Sequence, residues 1–396
     1  MNDSLSRYSQ ALTSIAARHW PSQQKAAYFE PQLDLSLGDL SSRLPTALAR
    51  AFQGRPEDFA AQLCEIWQGQ GLAPLRSERG FLNVSVCWNP EDDLLPELAP
   101  VSAYPSYRVI LPPPIEESDR LPTCRLALRA LLQTWLMRKH RLSPAFEILG
   151  SGPVDLPSGE AAVAAVLDVF QRHPLQKVAE VVSAVETELA LGRRGGMPSI
   201  LWLLPATIPA KEFRRLFPRQ EDSGQLRLAY VDAAWSHWPS TEAVCTALLK
   251  QAQNYPTDLL YYLGGSVAGS DIDLAVPALA EKANPFRYAR MTHERLSRLL
   301  ASGGVNNSFD LLPVLSTIVH RVRYFGAFEY FAAVTGSVAD YAQVFAELSD
   351  LVNTYCNQPD FRSRLSSGKA SLVELKILTG VFKLLSDIIP TGHSRF

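Results

Sequence analysis

A multidomain α+β protein is predicted by three changes of pattern along these 396 residues. Over 1–90, helical spacing gives way to short strands. Over 107–268, apolar runs of strand length alternate with helical segments. Over 269–396 the periodicity is helical throughout.

In the first stretch Leu5, Tyr8, Leu12 and Ile15 recur at helical spacing, and so do Leu40, Leu44, Leu48 and Phe52. Pro56-Glu57-Asp58 opens a further helix carrying Phe59, Leu63 and Ile66. Proline and acidic residues suit a first turn, where free N–H groups favour negative charge. Gly80 leads into FLNVSV, which alternates as a strand does. Residues 91–106, proline-rich with the acidic run Glu91-Asp92-Asp93, read as a linker. YRVIL, FEIL, SILWLLP and LRLAYV are short apolar runs. Helical segments at 125–141, 160–172 and 175–191 lie among them, the alternation of a parallel α/β sheet. In the last stretch Val338, Tyr341, Phe345, Leu348, Val352 and Tyr355 keep one face, and Leu372, Leu375, Leu378, Phe382, Leu385 and Ile389 another. Residues 311–334 are denser in apolar side chains and read as a more buried helix. Short connections imply an antiparallel bundle.

Composition is that of an ordinary globular chain, with 47% hydrophobic and 20% charged residues and a net charge of -2. That balance argues against a large phosphate-gripping surface, but leaves room for local patches. Five cysteines (Cys64, Cys87, Cys124, Cys245, Cys356) form no C-x-x-C and read as buried thiols in a reducing cytoplasm, with neither a disulfide nor a zinc framework. Seven histidines show no H-x-x-x-H or H-E-x-x-H spacing, so no metal is expected. No signal pattern and no apolar run of roughly 20 residues occur, so a cytoplasmic protein without a membrane span is expected. GGSVAGSD at 264–271 lacks the Lys-Ser/Thr of a P-loop. It reads as a turn before a helix, with Ser270 as N-cap and Asp271 and Asp273 in the first turn. Trp235 and Trp238, with His237 between them, read as one core ring and one rim residue. No G-x-S-x-G elbow and no cofactor motif is present.

The segment GDLSSRLPTALARAFQGRPEDFAAQL at 38–63, followed by GFLNVSV at 80–86, resembles the N-terminal domain of arginyl-tRNA synthetases. SDIDLAVPALAEKANPFRYARMTHERL at 270–296 is similar to that family's D-x-D-L-x-x-A, N-P-x-x-Y and Y-A-H-x-R series. Asp271, Asp273, Asn284, Pro285, Tyr288, His293 and Arg295 fall on it. The remainder, to IIPTGHSRF, resembles the helical DALR anticodon-binding domain. Together the matches cover about half the chain. The family's H-x-G-H-like motif aligns with Arg120-Leu121-Pro122-Thr123, which holds neither histidine and no glycine, although the following Arg125 is kept. No K-M-S-K-like string lies between 200 and 270.

The resemblance implies a reduced Rossmann-like centre at 107–268 and a DALR-like domain at 269–396. It also implies a partner, tRNA, and two contact sets. At the elbow of tRNA the family uses an aromatic ring and an amide, here Phe81 and Asn83; the plain alternative is a core Phe81 and a turn-capping Asn83. At the anticodon the matching positions are Met291 (where the family has Tyr), Arg295, Tyr355 and Phe396 (in place of a terminal Met). Loss of fixed donors aimed at the phosphates removes what stabilises adenylate formation. Arg120 alone is one cation and not a site. The expectation is a non-catalytic paralogue that binds tRNA, with arginine tRNA the one the resemblance implies, and presents it to a tRNA-modifying or tRNA-using enzyme. The alternatives are a protein–protein scaffold that has lost RNA binding, and an enzyme with new chemistry in the reduced centre.

Overall fold

The computed structural model describes residues 4–97, 106–194, 197–203, 226–230, 241–265, 283–301, 305–306 and 313–389. First come α1 (Ser4–His19), β1 (Glu30–Pro31), β2 (Leu40–Ser42), α2 (Leu44–Phe52), α3 (Pro56–Trp67), β3 (Arg76–Glu78) and β4 (Phe81–Val84). The middle holds β5 (Ser106–Leu111), α4 (Arg120–Lys139), β6 (Ser143–Ile148), β7 (Gly152–Pro153), α5 (Ala161–Arg172), α6 (Val178–Arg193), β8 (Ser199–Leu203), β9 (Leu226–Tyr230), α7 (Thr241–Asn254) and α8 (Pro256–Gly265). Next are α9 (Pro285–Leu300), β10 (Val305–Asn306), α10 (Pro313–Arg323), α11 (Phe325–Thr335), α12 (Val338–Asn357), α13 (Pro359–Ser366), β11 (Ala370–Ser371) and α14 (Leu372–Ile388). Beyond residue 283, then, the described chain is helical apart from two two-residue strands. This is the multidomain α+β architecture that the pattern predicts.

The chain divides into two compact units, each discontinuous in sequence. One combines Met1–Pro100, Leu296–Phe328 and Leu351–Leu384; the other combines Val101–Arg295, Glu329–Asp350 and Leu385–Phe396.

The first unit holds an antiparallel sheet of order β1-β2-β4-β3. Leu40, Leu82 and Val84 are buried, and α2 and α3 pack on β4. Tyr8, Phe29 and Trp67 pack as an aromatic trio with centroids 5.9 to 6.2 Å apart. A buried ion pair then ties distant segments together. Arg323 donates to Glu97 at 2.6 Å and to Ser4 Oγ at 3.0 Å. Glu97 also accepts from Ser4 Oγ at 2.6 Å and from Leu5 N at 3.0 Å, closing the N-terminal turn of α1. Leu94 and Glu97, inside the stretch read as linker, are thus packed into this unit. Arg321 donates to the carbonyls of Gln32 and Leu33, and His320 Nε2 donates to that of Asp39.

In the second unit the sheet order is β7-β6-β5-β8-β9, with β6, β5, β8 and β9 parallel and β7 an antiparallel edge. The first parallel strand, β5, therefore lies between the second and the third, the arrangement of an open α/β sheet with a topological switch point. Ile110, Leu149 and Leu201 pack with Val181, Val185 and Leu189 of α6. Helix α4 is buried continuously from Thr123 to Met137, as expected of a helix covered on every side. Gly265, at the end of α8, approaches Ala342 so closely that a Cβ there would sit 2.4 Å from the alanine methyl.

Candidate functional site

In the first unit, strands β3 and β4 form a hairpin with Arg76 opposite Asn83 and Glu78 opposite Phe81. Its two turn residues, Arg79 and Gly80, both take positive φ, 50° and 77°. That is the turn whose twist suits a two-residue hairpin. A side chain on Gly80 would meet Pro56 Cβ at 2.6 Å, so the turn presses on the start of α3. Strand alternation sends Leu82 and Val84 one way and Phe81 and Asn83 the other. Phe81 keeps 36% of its surface exposed, so it is not a core ring. Arg76 and Arg79 are exposed on the same hairpin, as is Glu78, and among the described residues neither arginine forms an ion pair. Asn83 caps no turn. It lies mid-strand, 2% exposed, paired across the sheet with Ser41, and its Oδ1 and the Ser41 Oγ lack hydrogen-bond partners among the described residues.

The second unit holds the motif part of helix α9, up to Arg295. Asn284 is its N-cap: Oδ1 accepts from the amides of Phe286 and Arg287 at 3.1 and 3.2 Å, and Nδ2 donates to the Asp258 carbonyl. Pro285 takes the first helical position. Tyr288 OH donates to Asp350, and His293 bonds Ser386 Oγ at 2.9 Å. These motif residues thus hold the helix in place. Arg287 and Arg290 face the buried Asp258 at 3.1 and 3.9 Å. Burial pushes the Asp258 carboxyl up against the pull of both cations. Met291 is 42% exposed, and Arg295 follows one turn later with part of its surface open.

Of the remaining anticodon candidates, Tyr355 is corrected by the first unit. It is fully buried, and its OH donates to Glu374, which Arg364 also pairs. Burial, then the Glu374 bond, pushes its hydroxyl well above the usual range. A ring closed off in this way offers no face to a base. Phe396 lies outside the described residues, as do Ser270, Asp271, Asp273, Trp235, His237 and Trp238.

At the second unit's switch point, β5 runs through Pro112–Pro114 to the first turn of α4, where the altered motif sits. Arg120 is committed locally. It pairs with Glu117 at 2.6 Å and donates to the carbonyls of Gln171 and His173 at 2.6 and 3.0 Å, closing the C-terminal end of α5. Arg125 is 1% exposed, and burial pulls its guanidinium below the ordinary value. Arg129 donates to the Gly264 carbonyl, and burial brings it down to about 10.

No family model matches the chain, and no curated protein matches it. Among solved structures it is similar to the arginyl-tRNA synthetase of Thermus thermophilus, at 11% identity and a TM-score of 0.48, over 95% of this chain and 97% of that one. It is also similar to a protein assigned as an arginyl-tRNA synthetase from Campylobacter jejuni, at 10% identity and a TM-score of 0.41, over 84% of this chain and 96% of that one.

Sequence reasoning missed the most buried acid among the second unit's described residues. Glu329 is 3% exposed, bonded to Lys139 at 2.6 Å and to Tyr341 OH at 3.2 Å, with His140 at 3.8 Å. A glutamate between aromatic residues in GAFEYFAAV was the available signal. The first unit also has a cavity of about 860 Å³ lined by Ser4, Tyr8, Trp88, Asp92, Asp93 and Arg323, and Phe81 is not among its walls. Among the described residues no helix is long and apolar enough to cross a membrane, and no group of three His, Cys, Asp or Glu side chains is placed to hold a metal.

Proposed function

We propose that this protein binds tRNA without charging it and presents the bound RNA to a partner enzyme that modifies or uses it. The β3–β4 hairpin carries the reading: Phe81 is held at the surface opposite Glu78, on a hairpin that also bears the exposed Arg76 and Arg79 and whose turn is pinned against α3. Splayed bases are recognised by ring faces and guanidinium planes, and phosphates by exposed cations. The face of α9 that carries exposed Met291 and half-buried Arg295 would supply a second RNA contact. The first turn of α4 supports the absence of charging, since its one cation already serves Glu117 and the end of α5. The RNA class comes from the motif resemblance.

The test is retention of total tRNA by the purified protein across a salt series, with sequencing of what is kept, beside an arginine-dependent ATP–pyrophosphate exchange assay. The expected result is one enriched isoacceptor family whose affinity falls linearly in log–log against salt, and no exchange. No retention at low salt would remove the RNA function, and exchange above background would remove the non-catalytic one. Burial of Tyr355 favours one second reading, a protein-docking scaffold. It would show as protein partners captured in place of tRNA.

A further inference from the structure

Cys124 and Cys245 are 121 positions apart, yet both are held at one end of α5. Arg120, one turn before Cys124 on α4, donates to the Gln171 carbonyl. The Gln171 amide donates to the Cys245 carbonyl at 3.1 Å. Helices α4 and α7 both pack on α5 and on each other. The two thiols interact where α4, α5 and α7 meet, and neither is in a disulfide. We propose that this pair is a thiol-oxidation site, at which hydrogen peroxide joins Cys124 and Cys245 in a reversible disulfide.

The two sulfurs are unequal. Cys245 is 8% exposed and Cys124 is sealed. The interaction with Cys124 holds the Cys245 thiol below its ordinary value, and the Arg120 charge adds to this, against burial. The same interaction, then burial, pushes Cys124 well up. Cys245 is therefore the more acidic sulfur and Cys124 its resolving partner, an arrangement that favours attack by one sulfur and keeps the other at hand. The Cys245 thiolate attacks a peroxide oxygen and the O–O bond breaks. The leaving hydroxide takes up a proton to become water, and Cys245 becomes a sulfenic acid. Cys124, losing its proton, then attacks the Cys245 sulfur, the S–O bond breaks, and the second oxygen leaves as water. Overall, two thiols and one peroxide give one disulfide and two waters, with two electrons passing from sulfur to oxygen.

The experiment treats the full-length wild-type protein with graded hydrogen peroxide, alkylates the remaining thiols, and maps peptides without reduction. The expected product is a peptide pair joined through Cys124 and Cys245, two hydrogens lighter than its reduced parts and released by dithiothreitol. Exposed Cys87 serves as an internal control for indiscriminate oxidation. Before oxidation, Cys245 should alkylate roughly tenfold faster than Cys124. Sulfenic or sulfinic acid at Cys245 without the linked pair would overturn the proposal. So would oxidation of Cys87 while Cys245 stays reduced. Cys124→Ser and Cys245→Ser should each abolish the link, but the wild-type map alone decides the matter if a variant fails to fold. The outcome does not depend on whether tRNA binds.

Discussion

Phe81 and Tyr355 both occupy positions where the resemblance places a base-stacking ring, and burial separates them. Phe81 leaves 36% of its surface open, whereas Tyr355 is closed and bonded to Glu374. Phe81→Ala should weaken tRNA binding about tenfold, in line with roughly 1–3 kcal/mol for a stacked base, while leaving the melting temperature nearly unchanged. Tyr355→Phe should do the reverse, lowering stability by about 1 kcal/mol with no change in affinity. Filter binding and thermal melts on the two variants separate these outcomes. Motif spacing brought both residues to notice. It was silent on exposure, because the acid that claims Tyr355 lies 19 positions further on, in another helix. The Asn284 cap was not read from the sequence, where Asn284 and Pro285 counted only as motif positions, although Asn before Pro is a helix-start signal.

The β3–β4 hairpin carries two opposed preferences. Gly80 combines positive φ with close approach to Pro56, so Gly80→Ala should cost roughly 1–3 kcal/mol and blur the hairpin register. Arg79 takes the left-handed region without a glycine's freedom. Arg79→Gly should therefore raise stability by up to about 1 kcal/mol. The same change should lower RNA affinity, the signature of a residue kept for contact. Denaturant melts paired with binding curves show whether the two effects part company. At this scale the start of α3 was readable from Pro56-Glu57-Asp58, because proline and carboxylates suit free amides. Helix α4 begins at Arg120, earlier than the 125 read from periodicity. Pro122 stands in that first turn, where a helix accepts proline.

Each unit holds a histidine in neutral form, His320 buried and His140 half-buried. Burial above all brings His320 down to about 3 in the first unit and His140 down to about 4 in the second. The unfolded chain protonates both near 6.5. Below that value the unfolded state therefore holds more protons than the native one, and stability falls as pH falls. At pH 5 each should have lost about 2 kcal/mol, at roughly 1.4 kcal/mol per pH unit. Urea unfolding at pH 7 and pH 5 should show the loss, and His320→Gln should shrink it. Pattern alone placed helices in the last third of the chain, and it could not show that they divide between units. That division rests on pairs such as Ser4 with Arg323, 319 positions apart. A ribosome releases α1–α3 and Glu97 long before the arginine that neutralises Glu97 has been made. During that interval the acid stays in water and the apolar faces of the first helices have no final partner. Those first hundred residues are thus a natural client for a holding chaperone, and the first unit can close only after Leu351–Leu384 has emerged.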